Sequence, residues 1–246
     1  MKIVNSDIAY DYIRKRILSG EYPSGKALIT DTLSAEIGVS RTPVRDALRQ
    51  LEADGLVSIK PHLGASVKSL DYKELRELCE LRLALESHAA GLAARHRTVE
   101  DLHEIRYALQ AMRGLTEQII AAKTEQPLLT DLIREDIRFH VAIMAAAKND
   151  LIKKEILRLH LVHRIVSGNE TAVGGEKPTR DVRRRAVMAS HEAIFDAVER
   201  QDVAAARHEM DLHIQDIIDS SLLIKAQAQK SLAVRELTEE ELKYIV

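Results

Sequence analysis

Apolar residues recur along most of this chain at intervals of three and four, the period of a helix with one inward face. Strand-like runs are confined to the first 70 residues. There the pattern predicts a helix near 6–19, a turn at GEYPSG, a short helix near 31–37 and a longer one near 42–54, with GVSRTP between the last two. After Gly55, the stretch LVSIKPHLGASVKSL holds two short apolar and β-branched runs around Pro61 and Gly64, which predicts a hairpin. From about 72 to 230 the helical period is almost unbroken. Its interruptions fall near Arg97–Thr98, at TEQP, at KND and at SGNETAVGGEKPT. Thr98, Asp150 and Thr179 each stand where an N-cap is wanted.

Helix, glycine turn, helix, hairpin is the order of a winged helix-turn-helix. The predicted fold class is therefore mainly α. A winged helix-turn-helix occupies residues 1–70, and an antiparallel bundle of six or seven helices follows over 71–230. The tail, 231–246, has a helix start of its own, with Thr238 and Glu241 in capping-box spacing. The chain's 246 residues suffice for both parts and for a sizeable core.

In the head, Ile37, Val39, Val44, Leu48 and Leu51 suit a core between the helices, while Ser40, Arg41, Thr42, Arg45 and Arg49 fall on the outward face of the second. An arginine near the start of such a helix can donate two bonds to guanine, and the helix N-terminus suits a phosphate. Charge changes this picture little. The whole chain carries -2, while residues 1–69 hold ten Lys+Arg against eight Asp+Glu, leaving the head at +2. Placement of the basic residues thus weighs more than their number. Only Cys79 is present, so no disulfide framework is expected. The opening MKIVNSDIAYDYIRKRIL lacks the apolar run of a signal peptide, and no apolar stretch is long enough to span a bilayer. A soluble cytoplasmic protein without a membrane partner is the expectation.

In the bundle, polar residues interrupt apolar stripes at four places. Asp136 and His140 share a stripe with Leu129, Ile133, Ile137, Val141 and Met144, leaving Glu135 and Arg138 to face outward. His191 runs with Val187, Ile194, Phe195 and Val198, and His213 with Met210, Ile214 and Ile217. A carboxylate and imidazoles turned toward a core are costly unless paired, and together they are the donors that hold a divalent transition metal. Zinc suits them first, with nickel, manganese or iron(II) as the other fits. Arg82, on a stripe with Leu75, Leu78, Leu85 and Ala89, has two open roles: a bidentate grip on a ligand carboxylate, or a buried pair with Glu86. His163, on a stripe with Leu159 and Val166, is expected to wall a pocket or play a structural part. His62, His88, His96, His103, His160 and His208 read as surface or incidental residues.

The stretch LSAEIGVSRTPVRDALRQLEADGLVSIKPHLGASV, with IRKRILSGEYPSG before it, resembles the DNA-binding domain of the GntR family of bacterial transcription regulators. That resemblance implies a double-stranded DNA operator contacted by Ser40, Arg41, Thr42 and Arg45, with Gly64 letting the wing tip approach the minor groove. Asp31 departs from it, standing where the family often has a basic residue near a phosphate, which implies ordinary affinity. DIRFH, SHEAIFDAV and ARHEMDLH are similar to the metal-binding, all-helical FCD effector domain of the family's FadR-type branch. This implies a ligand set of Asp136, His140, His191 and His213, and a small carboxylic-acid effector gripped by Arg82. It also implies a homodimer acting as a metabolite-released repressor. A metal-dependent enzyme is the rival reading, but no general base like the glutamate of H-E-x-x-H is evident. A purely structural metal is the third.

Overall fold

A computed structural model describes residues 5–167 and 176–233. Thr238 and the tail's predicted helix lie outside the described residues, as does the side chain of His163. The head contains α1 (Asn5–Leu18), α2 (Thr30–Ile37) and α3 (Arg41–Ala53), with strands β1 (Ala27–Leu28), β2 (Val57–Lys60) and β3 (Gly64–Val67). Helix α2 ends where Gly38 enters the left-handed region at φ 77°, a conformation glycine adopts without Cβ strain. The chain thereby turns sharply enough to lay α3 across α1. Val44, Ala47, Leu48 and Leu51 of α3 then meet Ala9, Ile13 and Ile17 of α1 in a buried core. The predicted hairpin is β2–β3, paired from Val57↔Val67 to Lys60↔Gly64. Sequence missed β1, which pairs with β3 through Ala27↔Ser66 and Leu28↔Ala65. Two residues cannot display an alternation, so only their partner reveals them.

The body is six helices among the described residues: α4 (Tyr72–His96), α5 (Val99–Ala121), α6 (Leu128–Ala146), α7 (Asp150–Ser167), α8 (Lys177–Glu199) and α9 (Val203–Ala233). Asp71 and Glu74 form a capping box on α4, and Thr98 with Asp101 forms one on α5, as expected for Thr98. The other two cap assignments move. Asn149 Oδ1, not Asp150, accepts the Ile152 N–H at 3.1 Å, and Glu176 precedes α8 while Thr179 lies inside its first turn. Pro178 explains the earlier start, since its fixed φ suits the first turn. Ala89, Ala90, Ala93 and Ala94 give α4 a small-residue face, against which α9 packs. Cys79 is buried in this core as a free thiol.

Head and body meet where α7 passes the turn after α3. A Cβ at Gly55 would stand 3.2 Å from Val162 Cγ2 and 3.3 Å from Arg158 Nη1. Beside that contact lies a cleft of about 620 Å3, lined by Lys60 and Lys68 from the head and by Leu78, Leu81 and Arg158 from the body. Among the described residues, no helix is long and apolar enough to cross a membrane.

Candidate metal centre and DNA-binding surface

Burying Val44, Ala47, Leu48 and Leu51 forces the opposite face of α3 outward, so Arg41, Thr42, Arg45 and Arg49 are exposed. Ser40 stands at the N-cap as its sequence position suggests, yet its side chain makes no capping bond, so the hydroxyl is available to a phosphate. Among the described residues, Arg45 and Arg49 form no ion pair, whereas Arg41 Nε lies 2.7 Å from Asp31 Oδ1. The wing turns through His62, at φ 64°, and Gly64, at φ 81°. A side chain at Gly64 would meet no other atom of the chain but would be strained by that φ.

In the bundle, three helices bring four predicted residues together. Helix α6 supplies Asp136 and His140, one turn apart on one face, while α8 supplies His191 and α9 supplies His213. His140 Nε2 is 3.3 Å from His213 Nε2, and His191 Nε2 is 3.1 Å from Asp136 Oδ1. The histidines are buried to within 4% of complete, whereas the Asp136 side chain keeps 40% of its surface and marks the open side. Phe139 sets its ring edge-on to His191 at 4.9 Å between centroids.

Hydrogen-bond partners fix the orientation of the rings. His191 Nδ1 lies 2.7 Å from the Val187 carbonyl, an acceptor, so this nitrogen carries the proton and Nε2 presents a lone pair. Ser190 Oγ donates to the same carbonyl at 2.7 Å, which leaves it to accept from His213 Nδ1 at 2.9 Å. The His213 Nε2 lone pair is thereby turned inward too. His140 Nδ1 faces Glu86 Oε2 at 3.6 Å, so its Nε2 is also the inward atom. His191 Nε2 is buried without a hydrogen-bond partner, its approach to Asp136 lacking the alignment of a bond. Three imidazole lone pairs converging within 4.8 Å of one another repel unless a cation lies among them, and the Asp136 carboxylate stands beside them next to His191. Ring N–H groups held from behind by a carbonyl, as at His191, and by a hydroxyl, as at His213, are the usual support for imidazole metal ligands, while the Glu86 carboxylate lies near His140 Nδ1 without bonding it. The donor set fits a divalent transition metal.

Electrostatics favour the ligand form of the rings. Burial drives His140 down to about 4, with His191 and His160 adding to the effect and Asp136 and Glu86 opposing it. Burial likewise holds His213 well below its ordinary value, reinforced by His191 and His140. Both are neutral at pH 7. The unfolded chain, with ordinary histidines, binds more protons between pH 6.5 and about 4 than the folded one. Stability of the metal-free protein must therefore fall as pH falls through that window. A melting temperature lower at pH 5 than at pH 7, with a shallower slope in His140→Gln, is the expected result. Equal slopes would show that His140 is not the group.

A second layer lies behind His140. Arg82 Nε donates to Glu86 Oε1 at 2.8 Å, and His160 Nε2 reaches the same oxygen at 3.0 Å. Glu86 is fully buried and Arg82 nearly so. Burial would raise the Glu86 carboxyl, but Arg82, His160 and His140 outweigh it and hold it well below the usual carboxylate range. Of the two roles left open for Arg82, the buried pair with Glu86 is present. His160 corrects the expectation of an incidental residue. It stands four residues after the buried Ile156, a spacing that could have found it. The other five, His62, His88, His96, His103 and His208, are exposed. Glu135 also departs from expectation: its side chain is only 13% exposed, with Oε2 buried against α6's surroundings and not directed to solvent.

Comparison with known proteins adds the decisive observation. The profile of bacterial regulatory proteins of the gntR family matches residues 5–67, and that of the FCD domain matches residues 77–216. The chain belongs to the GntR family of bacterial regulators. It is a DNA-binding transcription regulator whose body is an FCD domain. A probable D-xylose utilization operon transcriptional repressor of Paenarthrobacter nicotinovorans is 30% identical over 210 residues, covering 83% of each chain. The gluconate operon transcriptional repressor of Bacillus subtilis is 27% identical over 86% of this chain and 82% of its own. The fold matches that of E. coli McbR/YncC with a TM-score of 0.66 at 21% identity, over 92% of this chain and 99% of the other.

Proposed function

We propose that this GntR-family regulator is a homodimeric repressor that binds a divalent metal and a small organic acid in its FCD domain and leaves its operator when the acid binds. The inward convergence of the His140, His191 and His213 Nε2 atoms beside Asp136 carries this reading. A bound divalent ion would supply a Lewis-acidic point that a carboxylate oxygen can reach. Asp136, on the open side, and the three rings would hold it. Arg82 is the residue assigned to the acid. Its Nε is committed to Glu86, but Nη1 has no acceptor among the described residues. One relative is named for a gluconate operon, and gluconate is a carboxylate. Zinc is the metal these donors suit first.

On DNA, a two-fold dimer would set two copies of α3 in successive major grooves of a near-palindromic site. Effector and operator affinities are then coupled reciprocally. Ser40, Arg41, Thr42 and Arg45 would make the contacts, with Gly64 at the minor groove. The test is calorimetric titration of the metal-loaded protein against a panel of carboxylic acids, paired with a band-shift assay on its own upstream region. One acid should bind and release the DNA. Binding of none would favour a structural metal, and absence of any specific complex would sink the regulator reading. Arg45→Ala should lower the preference for operator over scrambled DNA by roughly 10- to 100-fold, the worth of one bidentate base contact. An unchanged preference removes Arg45 from that role.

A further inference from the structure

Asp31 sits in the first turn of α2, where a carboxylate suits the helix dipole. The N-cap residue of α2 is Ile29, which offers no side-chain cap, and among the described residues the Asp31 carboxylate makes no hydrogen bond. Its Oδ1 reaches out to Nε of Arg41, the first residue of α3, at 2.7 Å. Both side chains are more than 60% exposed. An ion pair this open contributes little to the fold, so stability does not account for it. Its position raises a sharper question. The pair lies on the surface formed by Ser40, Thr42 and Arg45, which must approach the polyanionic backbone of DNA. A carboxylate there opposes that approach.

The geometry of arginine answers it. The guanidinium is a rigid fork with five donors. Asp31 approaches it most closely at Nε, and among the described residues neither Nη group of Arg41 makes a hydrogen bond. Two N–H donors on one free edge match O6 and N7 of guanine. An arginine left free to rotate at a helix N-terminus is captured by the nearest phosphate, a contact that carries no sequence information. We propose that Asp31 is a specificity determinant of this regulator, holding Arg41 by its Nε side so that the Nη edge reads a guanine, while its charge weakens binding to DNA at large. The inference rests on α3 being the recognition helix.

An operator duplex is obtained by having the protein select it from random-sequence DNA, and a scrambled duplex of equal composition serves as the reference. Affinities for both are measured by fluorescence anisotropy across a salt series. Asp31→Ala should bind the scrambled duplex several-fold more tightly, and its operator preference should fall roughly 10-fold. Asp31→Asn loses the charge but keeps an acceptor, so it should tighten scrambled binding while retaining most of the preference. In an Arg41→Ala background, Asp31→Ala should leave the preference unchanged, because the two residues act as one unit. Equal tightening on both duplexes would overturn the proposal, reducing Asp31 to a brake without selectivity. So would no change on either. If Arg45→Ala loses discrimination while Asp31→Ala keeps it, the recognition helix stands and this inference falls.

Discussion

Replacing His191 with alanine is expected to abolish the thermal stabilisation that a divalent metal confers on the protein. Free metal at about a hundred times its Kd stabilises the state that binds it by about 2.7 kcal/mol. For a chain of this size that is roughly 5–10 °C in Tm. Wild type should show that rise when zinc is added to the chelator-treated protein, and His191→Ala should show none. His191 is the sharpest choice because it is completely buried, its Nδ1 is held by the Val187 carbonyl, and its Nε2 has no hydrogen-bond partner. Removing the ring also opens a cavity against Phe139, so the variant melts lower in either state. The quantity to compare is the difference made by metal. A variant that keeps the full rise, or a wild type purified without chelator that contains no metal by elemental analysis, would refute the centre.

Glu86→Ala should destabilise the protein by about 3–5 kcal/mol, because it strands a buried guanidinium without its counter-ion. Arg82 is 4% exposed, and the Glu86 carboxylate accepts its Nε–H at 2.8 Å. The same carboxylate faces His160 at 3.0 Å and His140 Nδ1 at 3.6 Å. A fall in Tm of roughly 6–20 °C is expected, and a fall of a degree or two would contradict the pairing. Glu86→Gln retains an oxygen for Arg82 and keeps the site testable if the alanine variant fails to fold. In that variant zinc affinity should drop roughly 10- to 100-fold, the usual effect of losing support behind a metal-binding imidazole. Unchanged affinity by calorimetry would confine Glu86 to holding Arg82.

Several of these groups announce themselves locally. A histidine or aspartate on an apolar stripe breaks a pattern that its own helix defines, so Asp136, His140, His191 and His213 are visible one helix at a time. The turn at Gly38, the hairpin around Pro61 and the N-cap at Thr98 are visible for the same reason: their physics is contained within a few residues. Other features depend on a partner far along the chain. Strand β1 exists because β3 lies beside it, and His160 matters because it meets Glu86 on another helix. Arg41 looks like any exposed arginine until α2 places Asp31 against it.

Periodicity, caps and turns thus determined by themselves that a winged helix-turn-helix precedes a helical bundle, and that Asp136, His140, His191 and His213 interrupt apolar stripes, though not that Glu135 and His160 are drawn in as well. Those are consequences of the 3.6-residue repeat and of backbone constraints acting over one or two turns. Only the tertiary structure decided that the inward groups share one place. His140 and His213 are 73 residues apart in the chain and 3.3 Å apart in space. That meeting depends on which apolar faces pack together across the bundle, a choice made by the whole core and recorded in no single segment.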